Sequence, residues 1–181
     1  FRPLCAQREG PTGVNAVNDF CEDFVKSAFK VPSADDMYNG KVIIVRQNDS
    51  GLGVANGDVA VIFGLKTADS DKPMWYAFIG DLKKIVPAQL LPKYDTAFAI
   101  TIHQSQGSGF RDVAIFLPTL SAGSDAASLC TRELLYTGIT RSEKTCQIFG
   151  AKDVLGMSLK TVTQRSGGLP QRLKERFSEQ G

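Results

Sequence analysis

The residues best equipped for chemistry gather between Ala97 and Phe110, in the stretch AFAITIHQSQGSGF. An apolar run from Ala97 to Ile102 gives way within one residue to His103, Gln104, Ser105, Gln106, Gly107, Ser108 and Gly109. A buried strand delivers a loop in this manner to the edge of a sheet, where α/β proteins bind ligands. Hydroxyls, amides and the backbone N–H groups of such a loop suit phosphate oxygens. His103, the only histidine, offers one hydrogen-bond donor when neutral. The same composition also fits a strand followed by an ordinary tight polar turn.

A second stretch, Thr131 to Lys144, reads TRELLYTGITRSEK. Its Arg141 carries a planar guanidinium suited to phosphate. Taken alone, it also fits a helix-end arginine that pairs with Glu143 or with a carbonyl. Together the two stretches resemble motifs V (TIHQSQGSGF) and VI (LYTGITRSEK) of superfamily 1 helicases. Within that superfamily they resemble the C-terminal part of the RecD family, the alpha subunits of exodeoxyribonuclease V. LCAQREGPTGVNAVN near the start and VRQNDSGLGVANGD in the middle extend the resemblance from Leu4 to Gly150.

The resemblance implies a RecA-like helicase motor domain 2 of α/β class, with a small Src-homology-3-like (SH3-like) β-barrel inserted. It implies ATP-dependent translocation on single-stranded DNA in double-strand break repair, with RecB and RecC subunits as partners and a cytosolic location. By resemblance Arg141 is the arginine finger and the catalytic residue. Gln106, Gly107, Thr140 and Arg141 would meet the nucleotide, and Thr101, His103, Ser105 and Ser108 the DNA. Two positions depart from the family pattern. Gly109 stands where an acidic residue usually precedes the motif V aromatic, and Gln104 replaces a commonly basic residue. A relaxase- or UvrD-type helicase fragment, or a non-enzymatic recruitment module for nucleic acid or protein, are the other readings of the same residues.

The phosphate-binding pattern G-x-x-x-x-G-K-[ST] is absent. Gly40-Lys41 has Asp35 where the first glycine belongs and Val42 in place of Ser or Thr. ATP and Mg²⁺ are therefore expected to be held by an N-terminal motor domain of a longer parent, and this stretch alone is expected to be inactive. The chain starts at Phe1 without a polar leader, as an excised piece would.

The elements that must position these residues follow from periodicity. Val14, Val17, Phe20, Cys21, Phe24, Val25 and Ala28 recur at helical spacing and predict one apolar helix face. From residue 37 to 90 the texture changes to short β-rich runs: Lys41–Arg46, Asp58–Phe63, Met74–Ile79 and Leu82–Val86, with a turn expected from Thr67 to Pro73. Trp75 is expected on the face opposite Tyr76 and Phe78. Residues 1–36 and 91–181 would then make the discontinuous motor domain around an insert at 37–90. Val113–Leu117 and Thr145–Gly150 read as strands, Thr131–Arg141 and Asp153–Val162 as helices, and Gly138 as an anomaly inside its helix.

Composition sets the bounds. At 181 residues, 43% apolar and 22% charged, the chain is of ordinary globular type and long enough to bury a core. Net charge is +2, too small to announce nucleic acid. Residues 1–40 hold 4 basic and 6 acidic groups, hence −2, while residues 130–181 hold 9 and 5, hence +4. Cys5, Cys21, Cys130 and Cys146 lack metal-ligand spacing and read as reduced thiols.

Overall fold

The computed structural model describes residues 1–67, 70–80, 82–119 and 130–162. Four strands form a parallel sheet: β1 (Arg2–Cys5), β7 (Ile100–Thr101), β8 (Phe110–Phe116) and β9 (Ser142–Phe149), in the order β7-β1-β8-β9. Register is fixed by Leu4 opposite both Ile100 and Ile115. Helix α1 (Val14–Ala28) covers one face, and α2 (Arg132–Ile139) with α3 (Lys152–Lys160) the other. Alternation along β1 explains this division. Leu4 points into a core with Ile102, Val113, Ile115, Leu135 and Val154, whereas Cys5 points into one with Val14, Val17 and Ala99. A strand covered on both faces must be apolar throughout, which is why Val113-Ala-Ile-Phe reads as an unbroken run.

Gly138 is explained by the same packing. A Cβ there would lie 3.0 Å from Ile115 Cδ1 and 3.3 Å from Ile102 Cδ1. The missing side chain lets α2 settle close against the sheet.

Helix α1 matches its expected span, but its buried face differs from the expected stripe. Val14 and Val17 are buried together with the polar Asn18, while Phe20 and Phe24 are 71% and 66% exposed. The reason is a hydrogen-bonding anchor. Asn18 Nδ2 donates to the carbonyls of Thr96 and Ala99 at 3.0 and 3.2 Å, and its Oδ1 accepts from Ala99 N at 2.8 Å. That grip rotates the helix about its axis and leaves the two phenylalanines outside.

Between α1 and β7 lies an antiparallel sheet of five strands: β2 (Val42–Val45), β3 (Val59–Thr67), β4 (Ser70–Ile79), β5 (Lys84–Pro87) and β6 (Tyr94–Thr96), ordered β5-β4-β3-β2-β6. Its own core holds Ile43, Val45, Ala60, Ile62, Ala77, Ile79 and Val86, with Trp75 packed against it. Tyr76 and Phe78 lie on the other face, and Tyr76 stacks on Phe63 with centroids 5.9 Å apart. Most of the turn expected from Thr67 to Pro73 is strand instead, because β3 reaches Thr67 and β4 begins at Ser70. Pro73 is tolerated in β4 where the pairing register shifts between Leu65 and Thr67.

Strand β2 joins the two cores, since Ile44 points into the main core and its neighbours Ile43 and Val45 into that of the antiparallel sheet. The buried Lys41 adds a polar tie, with its Nζ 2.6 Å from Asp36 Oδ1 and 3.6 Å from Glu22 Oε1 of α1. The hydrogen bond from Lys41 holds the Asp36 carboxyl below the usual carboxylate range. All four cysteines are free, and burial raises each thiol pKa, that of Cys5 to about 12. Among the described residues no helix is long and apolar enough to cross a membrane. The flexible connection expected at Pro118–Ala127 lies mostly outside the described residues, and the basic stretch at Gln171–Phe177 wholly so.

Candidate functional site

The loop between β7 and β8 is built from nested turns. Ile102 N donates to Cys5 O at 3.0 Å, which ties the loop's start to the central strand. A single 3-10 turn, His103–Ser105, follows. Ser105 Oγ donates to Ile102 O at 2.6 Å, and Ser108 N donates to Ser105 O at 3.0 Å. Gly107 closes the loop at φ +86°, a conformation that L side chains rarely adopt.

The loop does not remain at the carboxyl edge of the sheet, where its sequence places it. It leaves the carboxyl end of β7, but Ser108 and Gly109 lie at the amino end of β8 and β9, where Phe110 N donates to Arg141 O at 2.8 Å. The reason is the two-residue length of β7. The turns and Gly107 must carry the chain back to the start of the seven-residue β8.

Arg141 sits at the junction of α2 and β9, half-buried. Its Nη1 donates to Ser108 O at 3.1 Å, its Nε to Thr137 O at 3.2 Å and its Nη2 to Thr140 Oγ1 at 3.3 Å. Thr140 Oγ1 in turn donates to Thr137 O at 3.0 Å. The helix carrying these residues is capped by Thr131, whose side chain accepts from Leu134 N. The structure therefore brings Ser108, Thr140 and Arg141 into one hydrogen-bonded group, with the exposed Gln106 and Gly107 next on the loop. Arg141 is held by carbonyls and a hydroxyl. The Glu143 carboxylate turns instead toward Gly109, with Oε1 3.1 Å from where a Cβ on that glycine would stand.

The residues expected to meet DNA divide by exposure. His103 and Ser108 are exposed. Thr101 is buried, and both its N–H and its hydroxyl donate to Gln104 Oε1, at 2.9 and 3.1 Å. Ser105 is a correction: it is fully buried with its hydroxyl spent on Ile102 O, so it shapes the loop and presents nothing to a ligand.

Sequence reasoning missed Arg2. Its Nη1 donates to Ala97 O at 2.8 Å, and its guanidinium lies 5.2 Å from the centroid of Phe110. Burial lowers its pKa from the ordinary arginine value. No spacing signal reveals it, because the contact depends on β1 lying beside β8 more than a hundred residues away. Among the described residues no group of three His, Cys, Asp or Glu side chains is arranged to hold a metal ion.

Residues 96–148 match the family described as UvrD-like helicase C-terminal domain. Over 173 residues, covering 96% of this chain and 29% of the relative, the sequence is 34% identical to the RecBCD enzyme subunit RecD of Mycolicibacterium smegmatis. It is 32% identical to the same subunit from Buchnera aphidicola over 160 residues, 85% of this chain and 25% of the relative. The chain thus spans between a quarter and a third of the length of these curated relatives. Among solved structures, the Pif1 helicase from Bacteroides in complex with ADP-AlF3 and ssDNA aligns with 99% of this chain and 46% of its own, at TM-score 0.53 and 12% identity. That likeness concerns the fold, and it agrees with a parallel sheet covered on both faces. Over most of its length the chain is a homologue of part of the RecD subunits, and it shares its fold with the Pif1 helicase structure.

Proposed function

We propose that this chain is the second motor half of an ATP-dependent DNA helicase of RecD type, with residues 37–90 forming an SH3-like barrel inserted between segments 1–36 and 91–181. The observation that carries the proposal is the bond from Arg141 to Ser108 O. It joins the nucleotide-facing arginine to the DNA-facing loop, which is the connection a translocating motor needs.

In this reading the P-loop half of the parent holds ATP and Mg²⁺ across a cleft, and RecB- and RecC-like subunits are its partners. This half supplies electrostatics. Arg141 meets the negative charge spread over the phosphoryl group in the transition state, and fingers of this kind accelerate turnover by roughly 10³–10⁵. Thr137 and Thr140 hold the guanidinium in its plane. His103 and Ser108 contact the DNA backbone, and Thr101 fixes the loop through Gln104. Such contacts locate a strand without reading its sequence.

The test compares two variants of the full-length parent. Arg141→Ala is expected to lower kcat at least about a hundredfold with little change in single-stranded DNA affinity. His103→Ala is expected to weaken DNA affinity and DNA stimulation of hydrolysis instead. If Arg141→Ala leaves kcat unchanged while DNA affinity collapses, the assignment of roles is wrong.

A further inference from the structure

Helix α1 carries an apolar groove on its outer flank. Phe20, Phe24 and Val25 line one side of it, and Phe1, Pro3 and Phe98 the other, around a volume of about 310 Å³. The groove stays open because Asn18 fixes the helix with Val14 and Val17 toward the sheet. No described residue covers it: Phe1, Phe20 and Phe24 are 75%, 71% and 66% exposed. Apolar patches with a polar rim mark interaction sites.

The rim beyond the phenylalanines is acidic. Asp19 and Asp23 stand one position before Phe20 and Phe24, so on the helix the two pairs form neighbouring stripes. Glu22 is taken by Lys26 and Lys41, at 3.3 and 3.6 Å. Among the described residues the exposed Asp19 and Asp23 enter no ion pair. The occupant that fits is an apolar stripe with a basic stripe beside it.

The chain contains that pattern once more in its own tail. Residues 171–177 read QRLKERF, with Arg172 and Arg176 one position before Leu173 and Phe177. We propose that the groove seats this tail segment as a helix antiparallel to α1, with Leu173 and Phe177 against Phe24 and Phe20, and Arg172 and Arg176 beside Asp23 and Asp19. Both segments carry their charges on the same side of the apolar stripe. Two such stripes bring charge to charge only when the helices run in opposite directions. The tail is also long enough. Helix α3 lies on the face opposite α1, and a sheet with a helix on each face is about 30 Å thick. Val162 and Leu173 are 11 positions apart, a reach of up to about 36–40 Å. The inference does not depend on the motor reading.

The test follows hydrogen exchange in residues 169–181 of the full 181-residue chain by mass spectrometry. Exchange in the wild type is expected to be at least about threefold slower than in a free peptide of the same sequence, as for a segment held by a weak local equilibrium. Phe20→Asp combined with Phe24→Asp is expected to abolish the slowing while α1 keeps its own protection, because both side chains are exposed. Asp19→Arg with Asp23→Arg is expected to abolish it through charge alone, and adding Arg172→Asp with Arg176→Asp to restore it. A thermal melt confirms that each variant is folded. Unslowed exchange in the wild type, slowing that survives the phenylalanine variants, or no recovery in the charge-swapped chain overturns the proposal. Slowing that disappears on dilution gives the groove to a second copy's tail and overturns it as well.

Discussion

A single glycine can be indispensable or improvable, depending on what surrounds it. At Gly13, which precedes α1, an added Cβ would stand 2.4 Å from Glu9 O and 2.5 Å from Arg8 O. Both are backbone atoms, so the turn that starts the helix has to open. Gly13→Ala is expected to cost about 2–3 kcal/mol of stability, within the range for overpacking. Gly156, inside α3, meets nothing within 4 Å. Gly156→Ala is expected to stabilise by up to about 1 kcal/mol through helix propensity alone. Urea denaturation of both variants checks the opposite signs, and two shifts in the same direction would refute the packing argument. The sequence marked both positions only as glycine. The polar groups that crowd after an apolar run marked the loop, whereas Arg141 was singled out only through the resemblance to motif VI. The inward turn of Ser105 and the lock between Thr101 and Gln104 were hidden, because a hydroxyl's direction is decided by the turn it closes.

At the scale of elements, periodicity located α1 but made its buried stripe too wide: Val14, Val17 and Cys21 pack inward, whereas Phe20 and Phe24 do not. An apolar stripe predicts burial only when nothing stronger orients the helix. Here Asn18 does so, through three hydrogen bonds to backbone groups of Thr96 and Ala99. Asn18→Ala leaves buried backbone groups without partners and is expected to cost about 2–3 kcal/mol. Phe20→Ala, on the exposed flank, is expected to fall within about 0.5 kcal/mol of the wild type. Equilibrium unfolding of the two variants decides the matter, and a larger loss at Phe20 would restore the apolar stripe as the docking face. Short strands were legible for a similar reason. Val59 to Phe63 and Met74 to Ile79 alternate in burial, whereas the extension of β3 and β4 beyond them follows from pairing between strands, which no local window contains.

Over the whole molecule, two sheets of different kind share one chain. In the antiparallel sheet β3 and β4 are paired neighbours in sequence, while in the parallel sheet β1 pairs with strands from the far side of the antiparallel insert. Local pairings form before distant ones because loop closure must be met first. On refolding, the amides of β2, β3 and β4 are therefore expected to gain protection before those of β1 and β7. Pulse-labelled hydrogen exchange reads the order directly, and simultaneous protection of β1 and β3 would refute it. The class of the fold was visible in the sequence as apolar runs separated by helical stretches. The strand order was not, since nothing local distinguishes a central first strand from an edge one.

The central position of β1 has a consequence for synthesis. Leu4 pairs with Ile100, 96 positions later, and with Ile115 beyond that. At about 5–20 residues per second, β1 waits roughly 5–20 s on the ribosome before its first neighbour exists. During that interval Leu4 and Cys5, both without exposure in the finished fold, are an uncovered apolar strand in search of an edge. The antiparallel sheet folds in the meantime, and the pairing of β2 with β6 holds the two ends of that stretch together. The nascent chain thus spends its most vulnerable seconds building the clamp that later delivers β7 to the strand already waiting for it.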